Sequence, residues 1–191
     1  MNLKKRKIIV ITAPSGAGKT TITQYLMQQF PDLSFSVSAT TREKRSNETD
    51  GKDYYFISKD DFEKRISENA FLEWEMVYEG TYYGTLTSEI HHIWQQQRVP
   101  LLDIDVQGAL NVKRLFPEET ITIFIAPPSV EVLKERLNKR GTDTQASIEK
   151  RISKAADEMK YMQSFDKIIF NNQLEKACKD AGEIISLFLQ H

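Results

Sequence analysis

Residues Ile8-Ile9-Val10-Ile11-Thr12 form an unbroken β-rich run, and the chain passes directly into Ala13-Pro14-Ser15-Gly16-Ala17-Gly18-Lys19-Thr20 before a helical periodicity begins. No other segment constrains the fold as tightly. A buried strand, a loop holding two glycines and a Gly-Lys-Thr that opens a helix make the context in which backbone N–H groups turn inward around phosphate oxygens. Glycine is required where the backbone must approach an anion, because a side chain would block it. Lys19 supplies a mobile positive charge for β- and γ-phosphates, the Thr20 hydroxyl can ligate Mg2+, and the helix dipole adds to both. The strict pattern begins with glycine where this chain has Ala13, which is small enough for the tight turn. Ala13, Pro14, Ser15, Gly16, Ala17, Gly18, Lys19, Thr20 and Thr21 are therefore expected to bind a nucleoside triphosphate.

A phosphate loop of this kind implies a parallel sheet around it, and the rest of the chain agrees. Further apolar β-rich runs lie at Val99–Asp105, Ile121–Ala126 and Lys167–Phe170, and helical periodicities at Thr20–Phe30, Val106–Phe116, Val130–Leu137 and Leu174–Leu189. Strands apolar on both faces alternating with helices predict a doubly wound α/β core. Two segments break the rhythm. Ser34–Thr85 is aromatic and alternating, with turn formers Asn47, Asp50 and Gly51, and reads as a small, mostly antiparallel insertion followed by a helix over Thr85–Gln97. Lys139–Arg151 is polar and precedes a charged helix through Met162, and reads as a flap. The expected organisation is a core of residues 1–33, 86–138 and 163–191, an insertion at 34–85 and a lid at 139–162.

Charge narrows the partners. Twenty-six Lys and Arg against 27 Asp and Glu leave a formal charge of -1, which argues against a protein that coats nucleic acid. Yet residues 66–105 carry seven acidic side chains and one basic. That acidic stretch includes Glu73, Asp103 and Asp105. Before it, Arg42 and Arg45 stand three apart after an apolar strand, so their guanidiniums can converge on one dianion, with Tyr54 and Tyr83 as further donors. Guanine suits such a mixture: its N1–H and 2-amino group lie side by side, and one carboxylate accepts from both. Adenine would face that carboxylate with a lone pair. On the residues alone, a solvent-facing strand position remains the alternative for Glu73.

The ordered set APSGAGKT, SVSATTREKR, GKDYYFIS, FLEWE, YYGT, LLDIDVQG, IFIAPPS, RLNKRGTD and IEKRI resembles the guanylate kinase family from about Lys7 to the last helix. The resemblance implies a core parallel sheet with a GMP-binding insertion and a lid, and conversion of ATP and GMP to ADP and GDP with Mg2+. It implies that Ser38, Glu73, Thr85 and Asp105 meet the guanine and that Arg42, Arg45, Tyr54 and Tyr83 hold the GMP phosphate. Asp103 would assist Mg2+ or the GMP site. Arg136, Arg140 and Arg151 match positive lid positions, so Lys19, Arg42, Arg140 and Arg151 form the expected catalytic set. Asn171-Asn172 match an Asn-Asp near the adenine, with Asn172 departing from that pattern. The stretch between Glu73 and Tyr83 is about one residue longer than the commonest version.

Two other functions use parts of the same sequence: an inactive guanylate-kinase-like module binding phosphorylated peptides, and a P-loop kinase acting on another phosphorylated acceptor. Lys19 disfavours the first, and Glu73 with Asp105 the second. The single cysteine, Cys178, lies among apolar residues at helical spacing and reads as packing, while adjacent His91 and His92 point about 100° apart on a helix and read as solvated. No apolar run approaches a membrane span, the opening MNLKKRK is not followed by a cleavable signal pattern, and a cytoplasmic location is expected. Oligomeric state stays open.

Overall fold

The computed structural model describes residues 6–140 and 145–190, with the side chains of Tyr78, Lys139, Arg140 and Ala146 outside the description. In chain order the first half runs β1 (Ile8–Thr12), α1 (Lys19–Gln29), β2 (Leu33–Phe35), β3 (Ala39–Thr40), β4 (Tyr55–Phe56), α2 (Lys59–Ser67), β5 (Phe71–Tyr78) and β6 (Thr81–Leu86). The second half runs α3 (Thr87–Gln95), β7 (Val99–Asp103), α4 (Val106–Leu115), β8 (Thr120–Ala126), α5 (Val130–Arg140), α6 (Gln145–Met159), β9 (Lys167–Phe170) and α7 (Leu174–Gln190).

Alternation along β1 sets the layering, because a strand buried on both faces must serve two cores. Ile9 and Ile11 pack with Ile22 and Leu26 of α1 and with Ala177, Ala181 and Ile185 of α7. Ile8 and Val10 face the other way, onto Ile90 of α3 and Val106, Ala109 and Val112 of α4. Each fully buried isoleucine contributes about 1.5–3 kcal/mol, so β1 is anchored well before the loop that follows it makes any contact. The sheet is parallel, in the order β2-β7-β1-β8-β9. Helices cover both faces, as the doubly wound expectation requires. β1 is the central strand, and its carboxyl end delivers the phosphate loop where a ligand crevice is expected in open α/β sheets.

A second sheet, ordered β4-β3-β6-β5, stands over that crevice. β5 and β6 form an antiparallel hairpin that pairs Glu73 with Thr85 and Glu75 with Tyr83. α2 closes its outer face: Phe62 is fully buried and its ring stacks on Phe71 at 4.3 Å and on Tyr82 at 5.3 Å. Helix α2 was not foreseen from the pattern, since KDDFEKRIS offers few apolar positions. Its N-terminal signal is Ser58, whose hydroxyl accepts from the Asp61 N–H at 3.1 Å. β3 pairs in parallel with β4, while the β3–β6 and β5–β6 pairings are antiparallel, so the second sheet is mostly antiparallel as expected.

Three boundaries differ in ways that matter. Leu33–Phe35, expected to lead into the insertion, adds a fifth strand to the parallel sheet by pairing with β7. β7 ends at Asp103 rather than Asp105, because Asp105 has already turned to cap α4. The polar stretch 139–151 is helical on both sides of the undescribed residues 141–144, with α5 and α6 sharing a small core of Leu133, Leu137, Ile148 and Ala155.

Candidate active site

The phosphate loop is held by backbone geometry. Thr12, last residue of β1, donates its hydroxyl to the Ile104 carbonyl at 3.0 Å and so ties the loop's entry to the end of β7. The Ala17 N–H closes the turn on the Pro14 carbonyl at 3.0 Å. Gly16 and Gly18 sit at φ of 91° and 99°, a region that favours glycine. Any side chain on Gly18 would also run into the Asn171 amide, whose Nδ2 donates to the Ala17 carbonyl at 2.7 Å. Asn171 in turn bonds its N–H to the Ala126 carbonyl at 2.8 Å, so the ends of β8 and β9 brace the loop from behind. The first turn of α1 carries no acidic residue, which leaves its positive pole open to an anion. Lys19 stands at that turn and forms an ion pair with Asp103. Burial works against the lysine's charge, but the attraction of Asp103 outweighs it and the pKa rises above the usual lysine value.

The loop forms one wall of a cleft of about 470 Å³. The wall opposite comes from the second sheet: Ser38, Arg45, Tyr54, Glu73 and Tyr83. Asp103 and Asp105 lie between, and Arg151 reaches in from α6. Glu73 is 6% exposed and accepts from the Thr85 hydroxyl at 2.6 Å, a bond set by their direct pairing across the hairpin. Burial raises its pKa to about 7, opposed by the Thr85 hydrogen bond and reinforced by the charge of Asp105. Asp105 uses Oδ1 to accept from the Gly108 N–H at 2.9 Å, capping α4, and Glu75 is a further carboxylate lining the cleft. Thr85 is fully buried behind Glu73 and does not line the cleft, so its hydroxyl serves the carboxylate.

Arg42 departs from expectation. Its fork is taken by Glu48, Nη1 to Oε2 at 2.7 Å and Nη2 to Oε1 at 2.6 Å, while Nε donates to the Tyr83 hydroxyl at 3.1 Å. The guanidinium lies 5.0 Å from the centre of the Tyr54 ring, and that ring meets Tyr83 edge-on. Arg45 lines the cleft and Arg42 does not, so the two side chains do not converge on one point as the three-residue spacing suggested. Bidentate charge-assisted pairs of this kind are among the stronger side-chain interactions. Glu48 also accepts from the Arg45 N–H at 2.9 Å, and its hydrogen bonds from Arg42 hold its pKa down at about 2.

The lid arginines separate. Arg151 Nη1 donates to the Ser15 hydroxyl at 3.4 Å, placing α6 directly over the phosphate loop. Arg136 instead donates to the Asn171 carbonyl at 2.9 Å and does not line the cleft, and the Arg140 side chain lies outside the described residues. Asn172 is exposed and lines a separate shallow depression between β9 and α7, so the buried Asn171 is the member of the pair that touches the loop. Ala17, within the loop, is fully buried and does not line the cleft. Sequence reasoning missed Glu48, Gly108 and Asn171's bracing role, and also Lys154 and Glu158, which line the cleft from α6. Lys154 and Glu158 carried a signal in their helical spacing from Arg151; Glu48, six residues beyond Arg42, carried none. Cys178 is buried, and His91 and His92 are exposed, as expected.

A phosphate loop at the carboxyl end of a central parallel strand, facing acidic and tyrosine side chains across one cleft, defines the class as a P-loop protein. The family model described as Guanylate kinase matches residues 5–187. The chain is 48% identical over 183 residues to the guanylate kinase of Chlorobium chlorochromatii (strain CaD3), covering 96% of each, and 46% identical over 184 residues to that of Salinibacter ruber (strain DSM 13855 / M31), covering 96% of this chain and 97% of the relative. It also matches a crystal structure of guanylate kinase from Anaplasma phagocytophilum with a TM-score of 0.79 at 28% identity, covering 98% of this chain and 88% of that one. The chain belongs to the guanylate kinase family.

Proposed function

We propose that this chain transfers the γ-phosphoryl group of ATP to GMP, giving ADP and GDP, with the roles of individual residues set by their places around the cleft. The observation that carries this reading is the single cleft with the phosphate loop and Lys19 at one wall and the buried Glu73 beside Asp105 at the other. ATP phosphates lie in the loop formed by Ala13–Thr21. On binding, Lys19 passes from Asp103 to phosphate oxygens, exchanging one anionic partner for another inside a site already arranged for its charge. Arg151 offsets charge that grows between the β- and γ-phosphates from above the loop. Phosphoryl transfer through a loose transition state asks mainly for alignment and charge compensation, and a phosphate oxygen needs no dedicated base to act as nucleophile.

At the other wall, ionised Glu73 accepts from guanine N1–H and the 2-amino group, while Ser38 and Asp105 complete the base pocket. Arg45, Tyr54 and Tyr83 meet the acceptor phosphate, and Arg42 supports them through the Tyr83 hydroxyl, adding its own fork when phosphate displaces Glu48. Residues 34–85 act as the GMP-binding segment and 139–162 as the lid over the core. The Thr20 hydroxyl, exposed at the first turn of α1 and beside Asp103 in the cleft, offers the hard oxygen donors that suit Mg2+. Among the described residues no group of three or more His, Cys, Asp or Glu side chains stands where it could hold a metal ion. Mg2+ there would neutralise charge on the phosphates being transferred. No helix among the described residues is long and apolar enough to cross a membrane, and a cytoplasmic location is part of the same proposal.

The test is ADP formation from ATP with GMP, with AMP or with no acceptor. Turnover with GMP alone supports the reading; equal turnover with AMP breaks the argument from Glu73, and no turnover with any acceptor favours a binding module.

A further inference from the structure

Glycine is disfavoured inside a helix relative to alanine, so a buried glycine in the first turn of α4 calls for a local reason. Gly108 is that residue, in Val106-Gln107-Gly108-Ala109. Its φ is not positive, so backbone strain does not explain it. Space does. A Cβ at Gly108 would stand 2.5 Å from Glu73 Oε2, 3.1 Å from Glu73 Cδ and 3.3 Å from Asp105 Oδ1. The same residue donates its N–H to Asp105 Oδ1 at 2.9 Å. One glycine therefore touches both carboxylates assigned above to guanine, one through a hydrogen bond and the other through the absence of a side chain.

We infer that Gly108 is a positioning residue for base recognition: it sets how deeply the Glu73 carboxylate seats against α4, and so the spacing between the two acceptors that face the guanine edge. This rests on the reading that Glu73 reads guanine. Glu73 has little freedom to yield by another route. Its Oε1 is held by Thr85, its backbone is fixed in the hairpin, and it is buried, so a methyl group at 108 must push the carboxylate toward the base. Two acceptors placed for two adjacent donors tolerate little displacement, because a misaligned pair leaves buried polar atoms unmatched. The nearest atoms a side chain at Gly108 would meet belong to Glu73 and Asp105 and none to the phosphate loop, so the effect is expected on the acceptor nucleotide.

The experiment is a double-mutant cycle of Gly108→Ala and Glu73→Ala, reading kcat and KM for GMP and for ATP, with thermal melting of each variant. Gly108→Ala is expected to raise the GMP KM about tenfold or more, to leave the ATP KM within about twofold, and to shift the pH at which kcat/KM for GMP reaches half its limit. In the Glu73→Ala background, where the 2.5 Å contact is gone and only the 3.3 Å approach to Asp105 Oδ1 remains, the same substitution is expected to change GMP kinetics by less than about threefold. A GMP KM unchanged in Gly108→Ala overturns the inference, as does an equal loss in both backgrounds. Should Gly108→Ala unfold, the double variant has room for the methyl group and must melt like Glu73→Ala; a double variant as unstable as the single overturns the inference. If Glu73→Ala alone leaves GMP kinetics intact, the reading of Glu73 fails separately.

Discussion

The two walls of the cleft are made of different materials. The phosphate loop is backbone: two glycines at positive φ, a helix N-terminus, a closed turn and an asparagine brace, with Lys19 as its one mobile charge. The acceptor wall is side chain: a carboxylate whose pKa lies at about 7, a tyrosine pair, and an arginine whose fork is lent to Glu48. Backbone N–H groups read any phosphate and cannot be titrated. Side chains discriminate among bases, but they must be desolvated, aligned and kept in the right ionisation state. Phosphate binding should therefore be robust to pH and local change, and base selection fragile.

Removal of Lys19 tests the first half of that contrast and should give the largest effect. With the loop's geometry intact, Lys19→Ala is expected to lower kcat by about 10³-fold, the scale of losing a charge-stabilising donor in a preorganised site, with GMP binding nearly unchanged. Asp103 would be left without its cation. Steady-state kinetics with GMP and ATP varied separately checks this, and a GMP KM that rises as steeply as kcat falls would erase the distinction between the walls.

Glu73→Gln tests the second half. The amide keeps the shape but offers only one acceptor, so kcat/KM for GMP should fall about 10²-fold while the ATP KM holds. In the parent protein kcat/KM for GMP should rise with pH through about 7, as Glu73 ionises and gains its second acceptor, and Glu73→Gln should lose that step. Stability moves the opposite way. An acid whose folded pKa lies above its unfolded value binds its proton more tightly when folded, so the native state loses stability as pH rises from about 4.5 to about 7. Thermal melting of the unliganded protein across that window should show the decline in the parent and a smaller one in Glu73→Gln. Selectivity thus comes at a cost to the empty fold.

The same division explains what the sequence made legible. A loop built from backbone needs particular residues in one contiguous stretch, so Ala13–Thr21 could be read directly, as could the buried strands on either side. The acceptor wall is assembled from β3, the hairpin and the cap of α4, segments up to about seventy residues apart. Residue types there were readable, but partners were not. Thr85 was assigned to the base, and the structure gives its hydroxyl to Glu73 through cross-strand register. Arg42 was paired with Arg45 by spacing, and a carboxylate six residues along claims it instead. Helix α2 hid because one phenylalanine, Phe62, does most of its burial, too sparse a signal for periodicity.

Arg42 and Glu48 give a middle-sized effect that sharpens the comparison. Arg42→Met removes the donor to Tyr83 and a fork available to phosphate, so the GMP KM should rise about tenfold, kcat should fall, and ATP affinity should change little. Glu48→Gln loosens Arg42 and removes one acceptor from the Arg45 N–H, and should raise the GMP KM by less. Its effect should be flat above pH 5, because the Arg42 pair already keeps this carboxylate ionised at about 2. A Glu48→Gln variant that binds GMP more tightly would mean the carboxylate acts chiefly as a competitor for the phosphate.

The smallest expected effect concerns two adjacent asparagines just past the end of β9, one buried and one exposed. Asn171 points inward and bonds the Ala17 carbonyl, so Asn171→Ala leaves a loop carbonyl unpaired, a cost of about 1 kcal/mol that should raise the ATP KM about fivefold and leave the GMP KM unchanged. Asn172 points outward, is exposed and lines no part of the cleft. Its backbone N–H bonds the Phe170 carbonyl at 2.9 Å whatever its side chain, so Asn172→Ala should leave both KM values within about twofold. Equal losses in the two variants would show that the nucleotide reaches past the loop to the outer side of β9, and that the phosphate wall, too, relies on a side chain the backbone does not hold.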